Sequence, residues 1–97
     1  MIISFKDKGT EDIYNGKATK AAIRTCPKQI WKIVARKLDQ LDSILSVDEL
    51  RVPSGNRLEA LAGQRKGQFS IRINDPFRIC FKWSAIGPEL VEITDYH

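Results

Sequence analysis

The hydrophobic pattern of this 97-residue chain changes period once, from helical to strand-like, at Val52-Pro53-Ser54-Gly55-Asn56. A single switch puts helices first and strands second, which points to an α+β fold rather than alternating βαβ units. Ahead of the turn, Ile30, Trp31, Val34, Leu38, Leu41 and Leu45 recur at three- and four-residue spacing and make one apolar stripe. Pro27 suits the first turn of that helix, and Lys28, Lys32, Arg36 and Asp39 lie off the stripe, facing water. Trp31 reads as core. Earlier still, Ile2, Ile3 and Phe5 predict a short opening strand, and residues 7–14 a short helix ended by Asn15-Gly16.

Past the turn, strands are predicted over residues 57–61, 68–74, 77–83 and 90–96, with Asn74-Asp75-Pro76 and Ala85-Ile86-Gly87-Pro88 among the connections. Short links favour antiparallel neighbours, so the expected core is a small, mainly antiparallel sheet with the N-terminal strand and helices packed on one face. Period-two alternation sends Phe69, Ile71, Ile73, Phe77, Ile79, Phe81, Trp83, Val91 and Ile93 to that face. Arg72, Arg78, Lys82 and Tyr96 then share the other, open face, beside Cys80, with His97 at its edge.

Residues 1–97 are expected to form one domain, large enough for a single core, and no repeat or low-complexity tract divides them. Apolar runs are only a few residues long, and no basic segment leads into a hydrophobic one, so neither a membrane span nor a secretory signal is expected. Cys26 and Cys80 are too few and too far apart for a disulfide framework, which favours a reducing, cytoplasmic setting. Two cysteines and one histidine give no zinc-ligand spacing, and no metal or other cofactor is expected.

Charge narrows the function. The formal net charge is +4, and residues 51–83 set Arg51, Arg57, Arg65, Lys66, Arg72, Arg78 and Lys82 against only Glu59 and Asp75. That surplus is the footprint of a polyanion-binding surface, and an arginine fork matches phosphate better than a lysine point charge does. Scattered lysines in the first half fit an ordinary solvated face equally well. Cations, a phenol and an imidazole on one face are the parts needed to cut RNA without a metal. Attack by a 2′-hydroxyl on the adjacent phosphate builds negative charge that fixed arginines stabilise, while a base and an acid handle the protons. His97, Tyr96, Asp95 and Glu59 are the candidates near that face. His97 is the sole histidine; a carboxylate close to its ring would favour the imidazolium and incline it toward acid work.

The run from Asn56 to Arg72, with Gly63-Gln64-Arg65-Lys66-Gly67 inside it, is followed by Phe77-Arg78-Ile79-Cys80-Phe81 and then by Val91-Glu92-Ile93-Thr94-Asp95-Tyr96-His97. In this order and spacing, and with the opening Met1-Ile2-Ile3-Ser4-Phe5, the chain resembles the HigB toxins of the RelE superfamily over nearly its whole length. The resemblance implies a RelE-like fold and a toxin of a type II toxin–antitoxin pair, a ribosome-dependent endoribonuclease that cleaves messenger RNA in the aminoacyl site and arrests growth. It implies that Arg78 stabilises the scissile phosphate, that Tyr96 and His97 take part in proton transfer with Asp95 in support, and that Arg65 and Arg72 hold the RNA backbone. The implied partners are a HigA-type helix-turn-helix antitoxin, through which alone operator DNA is engaged, and the ribosome, met through a basic helical surface. Glu59 stands where some of these toxins carry a catalytic histidine, which leaves the division of acid and base roles open. A ParE-like gyrase poison of the same fold and a non-catalytic basic RNA-binding module are the alternatives.

Overall fold

Two short polar caps start the helical half. In the computed structural model, which describes residues 1–95, the Asp7 carboxylate accepts the Thr10 N–H at 2.7 Å and opens α1, Lys8–Tyr14. The Thr19 hydroxyl accepts the Ala22 N–H at 3.1 Å and opens α2, Lys20–Thr25. Each cap satisfies a backbone donor that the first turn leaves without a partner. α2 has no counterpart among the predicted elements, since only Ala22 within it is fully buried and no apolar stripe marks it. The two helices touch at Gly9, where a Cβ would run into the Thr25 hydroxyl and the Ala21 carbonyl.

α3, Trp31–Ser43, follows a 3-10 turn over Lys28–Ile30 and buries Val34, Leu38 and Leu41, three members of the predicted stripe. The Trp31 indole donates to the Cys26 carbonyl at 3.0 Å and ties the helix start to the chain before it. Leu45 departs from the expectation. The backbone turns extended at Ile44, directly after the helix, so Ile44 takes the buried position and Leu45 is left 90 % exposed.

The strands form the expected meander, β1 (Glu59–Ala60), β2 (Gln68–Arg72), β3 (Phe77–Ser84) and β4 (Gly87–Asp95), antiparallel and in that order across the sheet. β1 is shorter than predicted because Arg57 takes a left-handed backbone, φ 46 and ψ 56, and bends the chain before Glu59. The opening segment pairs in parallel with β4 at a single bridge, Phe5 to Val91, rather than as a regular strand. A register shift between Cys80 and Lys82, with Leu90 at φ 52 opposite, makes a bulge in β4 where that pairing occurs. Ile71, Ile79, Phe81, Val91 and Ile93 point to one face and meet Ile13, Val34, Leu38 and Leu41 from the helices, while Leu50 closes one side. Both cysteines are buried and free, and burial lifts the Cys26 thiol to about 11. Among the described residues no helix is long and apolar enough to cross a membrane.

Candidate functional site

Antiparallel pairing turns the alternation of β2, β3 and β4 into rows on the face away from the helices. Arg72 stands opposite Arg78, and Arg78 opposite Thr94. The next row holds Glu59, Ser70, Cys80 and Glu92, and beyond it come Gln68, Lys82 and Glu89. The predicted grouping of Arg72, Arg78 and Lys82 therefore exists, with Lys82 displaced toward the β3–β4 turn. Tyr96 and His97, expected to complete it, lie outside the described residues.

This face is polar but less open than alternation suggests. Ser70 and Cys80 are fully buried on it, and Arg78 is only 8 % exposed. Arg78 leans across β2 toward β1. Its Nε donates to the Ser70 hydroxyl at 2.8 Å and its Nη2 to the Arg57 carbonyl at 2.7 Å, with the Glu59 carboxylate 3.8 Å from the same nitrogen. Two neutral acceptors thus fix the guanidinium plane, and its ion-pair partner among the described residues, Glu59, is more than half exposed and beyond hydrogen-bond distance. The left-handed Arg57 delivers its carbonyl to this spot. Arg57 contributes through its backbone, in place of the strand side chain the sequence predicts.

Arg65 comes from the turn between β1 and β2 and reaches the other way, to Gln68 Oε1 at 3.0 Å and to the Glu92 carboxylate on β4 at 3.4 Å. Glu92 also takes the Lys6 ammonium at 3.2 Å. Arg72 is paired with Asp75 at 2.6 Å, and this bond, more than charge alone, holds the exposed Asp75 carboxyl below its usual range. Lys66 and Lys82 are exposed to water. Asp95 falls elsewhere. It is opposite Phe77, on the parity of Ile93, and lines a cleft on the helix side with Asp7, Lys8 and Arg24. The described structure brings Glu59 and the Arg57 backbone to Arg78 but sets Asp95 on the opposite face.

Three contributors escaped sequence reasoning. Ser70 reads as one more outward polar residue of a strand, and nothing in the string marks it as the acceptor for Arg78. Asn56 reads as a turn residue, yet it is fully buried, donates to the Leu50 carbonyl at 3.1 Å and accepts the Lys37 ammonium at 2.5 Å. Lys37 itself, half-buried on α3, has its pKa lowered by burial first and then by Arg72 and Arg36.

What this geometry offers chemically is a buried guanidinium held by fixed dipoles, flanked by a carboxylate and further cations. Such a group stabilises charge on a phosphate without reorganising during reaction. Comparison with known proteins identifies the family of the chain. Residues 3–97 match the family described as RelE-like toxin of type II toxin-antitoxin system HigB. A Vibrio cholerae protein named Toxin HigB-1 is 40 % identical over 83 residues, covering 86 % of this chain and 84 % of its own. A Haemophilus influenzae protein of no assigned function is 35 % identical over 57 residues, 59 % of this chain and 56 % of its own.

Proposed function

The chain belongs to the RelE-like HigB toxins of type II toxin–antitoxin systems, and from that premise we propose that it is a ribosome-dependent endoribonuclease that cuts messenger RNA in the aminoacyl site. The observation that carries this reading is the fixing of Arg78 by the Ser70 hydroxyl and the Arg57 carbonyl next to the Glu59 carboxylate. In the reaction the ribose 2′-oxygen bonds to phosphorus as the bond from phosphorus to the 5′-oxygen breaks. A 2′,3′-cyclic phosphate and a 5′-hydroxyl result. Arg78 stabilises the charge that builds on the phosphoryl oxygens, a contribution typically worth about 100- to 1000-fold in rate. Glu59 takes the 2′-proton, and Tyr96 with His97 returns a proton to the leaving oxygen. Asp95 acts on the two residues that follow it in the chain. Arg65, Arg72, Lys66 and Lys82 hold the RNA backbone, together with the exposed Arg57 side chain, whose own carbonyl is taken by Arg78.

The ribosome supplies the proximity and strand geometry that the isolated protein lacks, so activity on naked RNA is expected to be weak. The neutralising partner is a HigA-type helix-turn-helix antitoxin, and the toxin works in the cytoplasm where messages are translated. The test is induced expression of the wild type and of Arg78→Ala and His97→Ala in a bacterium. Primer extension is run on a translated reporter and on a copy without its start codon. Cuts confined to the translated message and lost in the variants support the nuclease. Growth arrest with no cuts in either message overturns it in favour of a gyrase poison.

A further inference from the structure

A cleft of about 320 Å³ opens between α3 and the segment that leads into β1, lined by Ile33, Arg36, Lys37, Gln40 and Pro53. Ile33 and Pro53 give it an apolar floor, and Arg36 and Lys37 a cationic wall. Gln40 is part of the frame: its amide nitrogen donates to the Val52 carbonyl at 2.7 Å and its oxygen accepts from Asn56 at 3.2 Å. From this cleft and its position we infer that Arg36 and Lys37 bind a second phosphate of the RNA strand held at Arg78, with that nucleotide's ribose or base lying on Ile33 and Pro53.

The argument starts from what holds the two cations. Lys37 Nζ is bonded to Asn56 Oδ1, and the next residue along the chain, Arg57, holds Arg78 through its carbonyl. The ammonium and the guanidinium are thus fastened to consecutive residues of one rigid turn. A lysine carries three donors, and Asn56 takes one of them. Among the described residues neither Lys37 nor Arg36 forms an ion pair, whereas Arg65, Arg72 and Arg78 each have a carboxylate within 4 Å. The half-buried ammonium also lies near enough to Arg72 and Arg36 to be destabilised by both. Arg72 is answered by the exposed Asp75 and, among the described residues, Lys37 and Arg36 by no carboxylate, so an incoming phosphate meets cations that no buried counter-charge occupies.

The ligand class follows from the mixed lining. An inorganic anion would need only the cations and would leave Ile33 and Pro53 unused. A nucleotide uses both halves, and the cleft is within the size range of small-molecule sites. Arg72 lies opposite Arg78 in the sheet and also acts on Lys37 electrostatically, which relates the cleft to the row that holds the proposed scissile position. This inference rests on the nuclease reading for the identity of the strand, though its test does not depend on cleavage.

The measurement is binding of the full-length toxin to a short single-stranded RNA whose 2′-oxygens are methylated, so that it cannot be cut, by fluorescence anisotropy over a range of salt. Lys37→Gln and, separately, the exposed Arg36→Gln are expected to weaken binding several-fold and to reduce the salt slope by about one each. Titration with inorganic phosphate should move the NMR signals of Lys37 and Arg36 in the wild type. Unchanged affinity and salt slope in both variants would overturn the site, whatever the toxin does to messages. Weakened binding to the antitoxin with RNA binding intact would also overturn it, by assigning the cleft to the protein partner. Conversely, a wild type that cuts no message but shows the Lys37 and Arg36 dependence would sink the nuclease and leave the RNA site standing.

Discussion

The two ends of the β3–β4 hairpin are built on opposite principles. At the open end, Arg72 and Arg78 stand side by side, polar groups are buried, and each guanidinium has a named partner. At the turn end, Met1, Leu45 and Ile86 leave most of their apolar surface in water around the half-buried Trp83. One end accepts the cost of burying charge; the other leaves cheap hydrophobic burial unused. A chain selected for stability alone would do neither. The proposed nuclease chemistry would require rigid charge at the open end, since fixed donors are worth most where the environment is dry and need not move.

The largest expected effect tests that rigidity directly. Arg78→Lys keeps a positive charge but cannot reach the Ser70 hydroxyl and the Arg57 carbonyl with a planar fork. Single-turnover cleavage on programmed ribosomes should fall by about 100-fold or more per folded molecule, beyond any loss of stability from the two acceptors left unpaired, which urea denaturation measures separately. Retained cleavage would mean that charge alone suffices. Ser70→Ala comes next. It removes only the acceptor at Nε, and a misplaced guanidinium should reduce cleavage by roughly ten- to a hundredfold without weakening binding of the uncleavable RNA. If Ser70→Ala loses affinity and rate together, the serine supports the whole face rather than the orientation of Arg78. The buried donor left behind should also cost about 1–3 kcal/mol of stability.

At the turn end the expected loss is of stability alone. Gly87 has φ 144, and a Cβ there would meet the Met1 carbonyl. Gly87→Ala should destabilise the fold by about 1–3 kcal/mol, read by urea denaturation, while cleavage per folded molecule stays at the wild-type level. A fall in specific activity would show that the two ends are mechanically coupled through the hairpin.

How much of this could be read from the string depends on distance along the chain. The α+β order, the antiparallel meander and the placing of Arg72 and Arg78 on one face follow from local period and short links, and the structure agrees. Periodicity puts Leu45 on the buried stripe because it carries no mark for the extended turn at Ile44. Alternation puts Arg57 in a strand because a left-handed backbone at a non-glycine residue is imposed by its surroundings, here by the bond to Arg78 and the burial of Asn56. Ser70, Asn56 and Lys37 were invisible for the same reason: their partners lie 8, 6 and 19 residues away. The roles given to Tyr96 and His97 rest on the resemblance, as both lie outside the described residues.

The smallest expected effect completes the comparison. Ile86 is 73 % exposed at the tip of the hairpin, so Ile86→Ser gives up little burial and should change stability by no more than about 0.5 kcal/mol. Cleavage should be unchanged, because the tip lies at the far end of β3 from Arg78. What should change is behaviour at high concentration. Met1, Leu45 and Ile86 form a small apolar patch, and removing one of its branched side chains should lower self-association measured by light scattering. A variant that cleaves normally but is no longer neutralised by its antitoxin would give the patch a partner, and the contrast between the two ends would become a division between RNA and protein recognition.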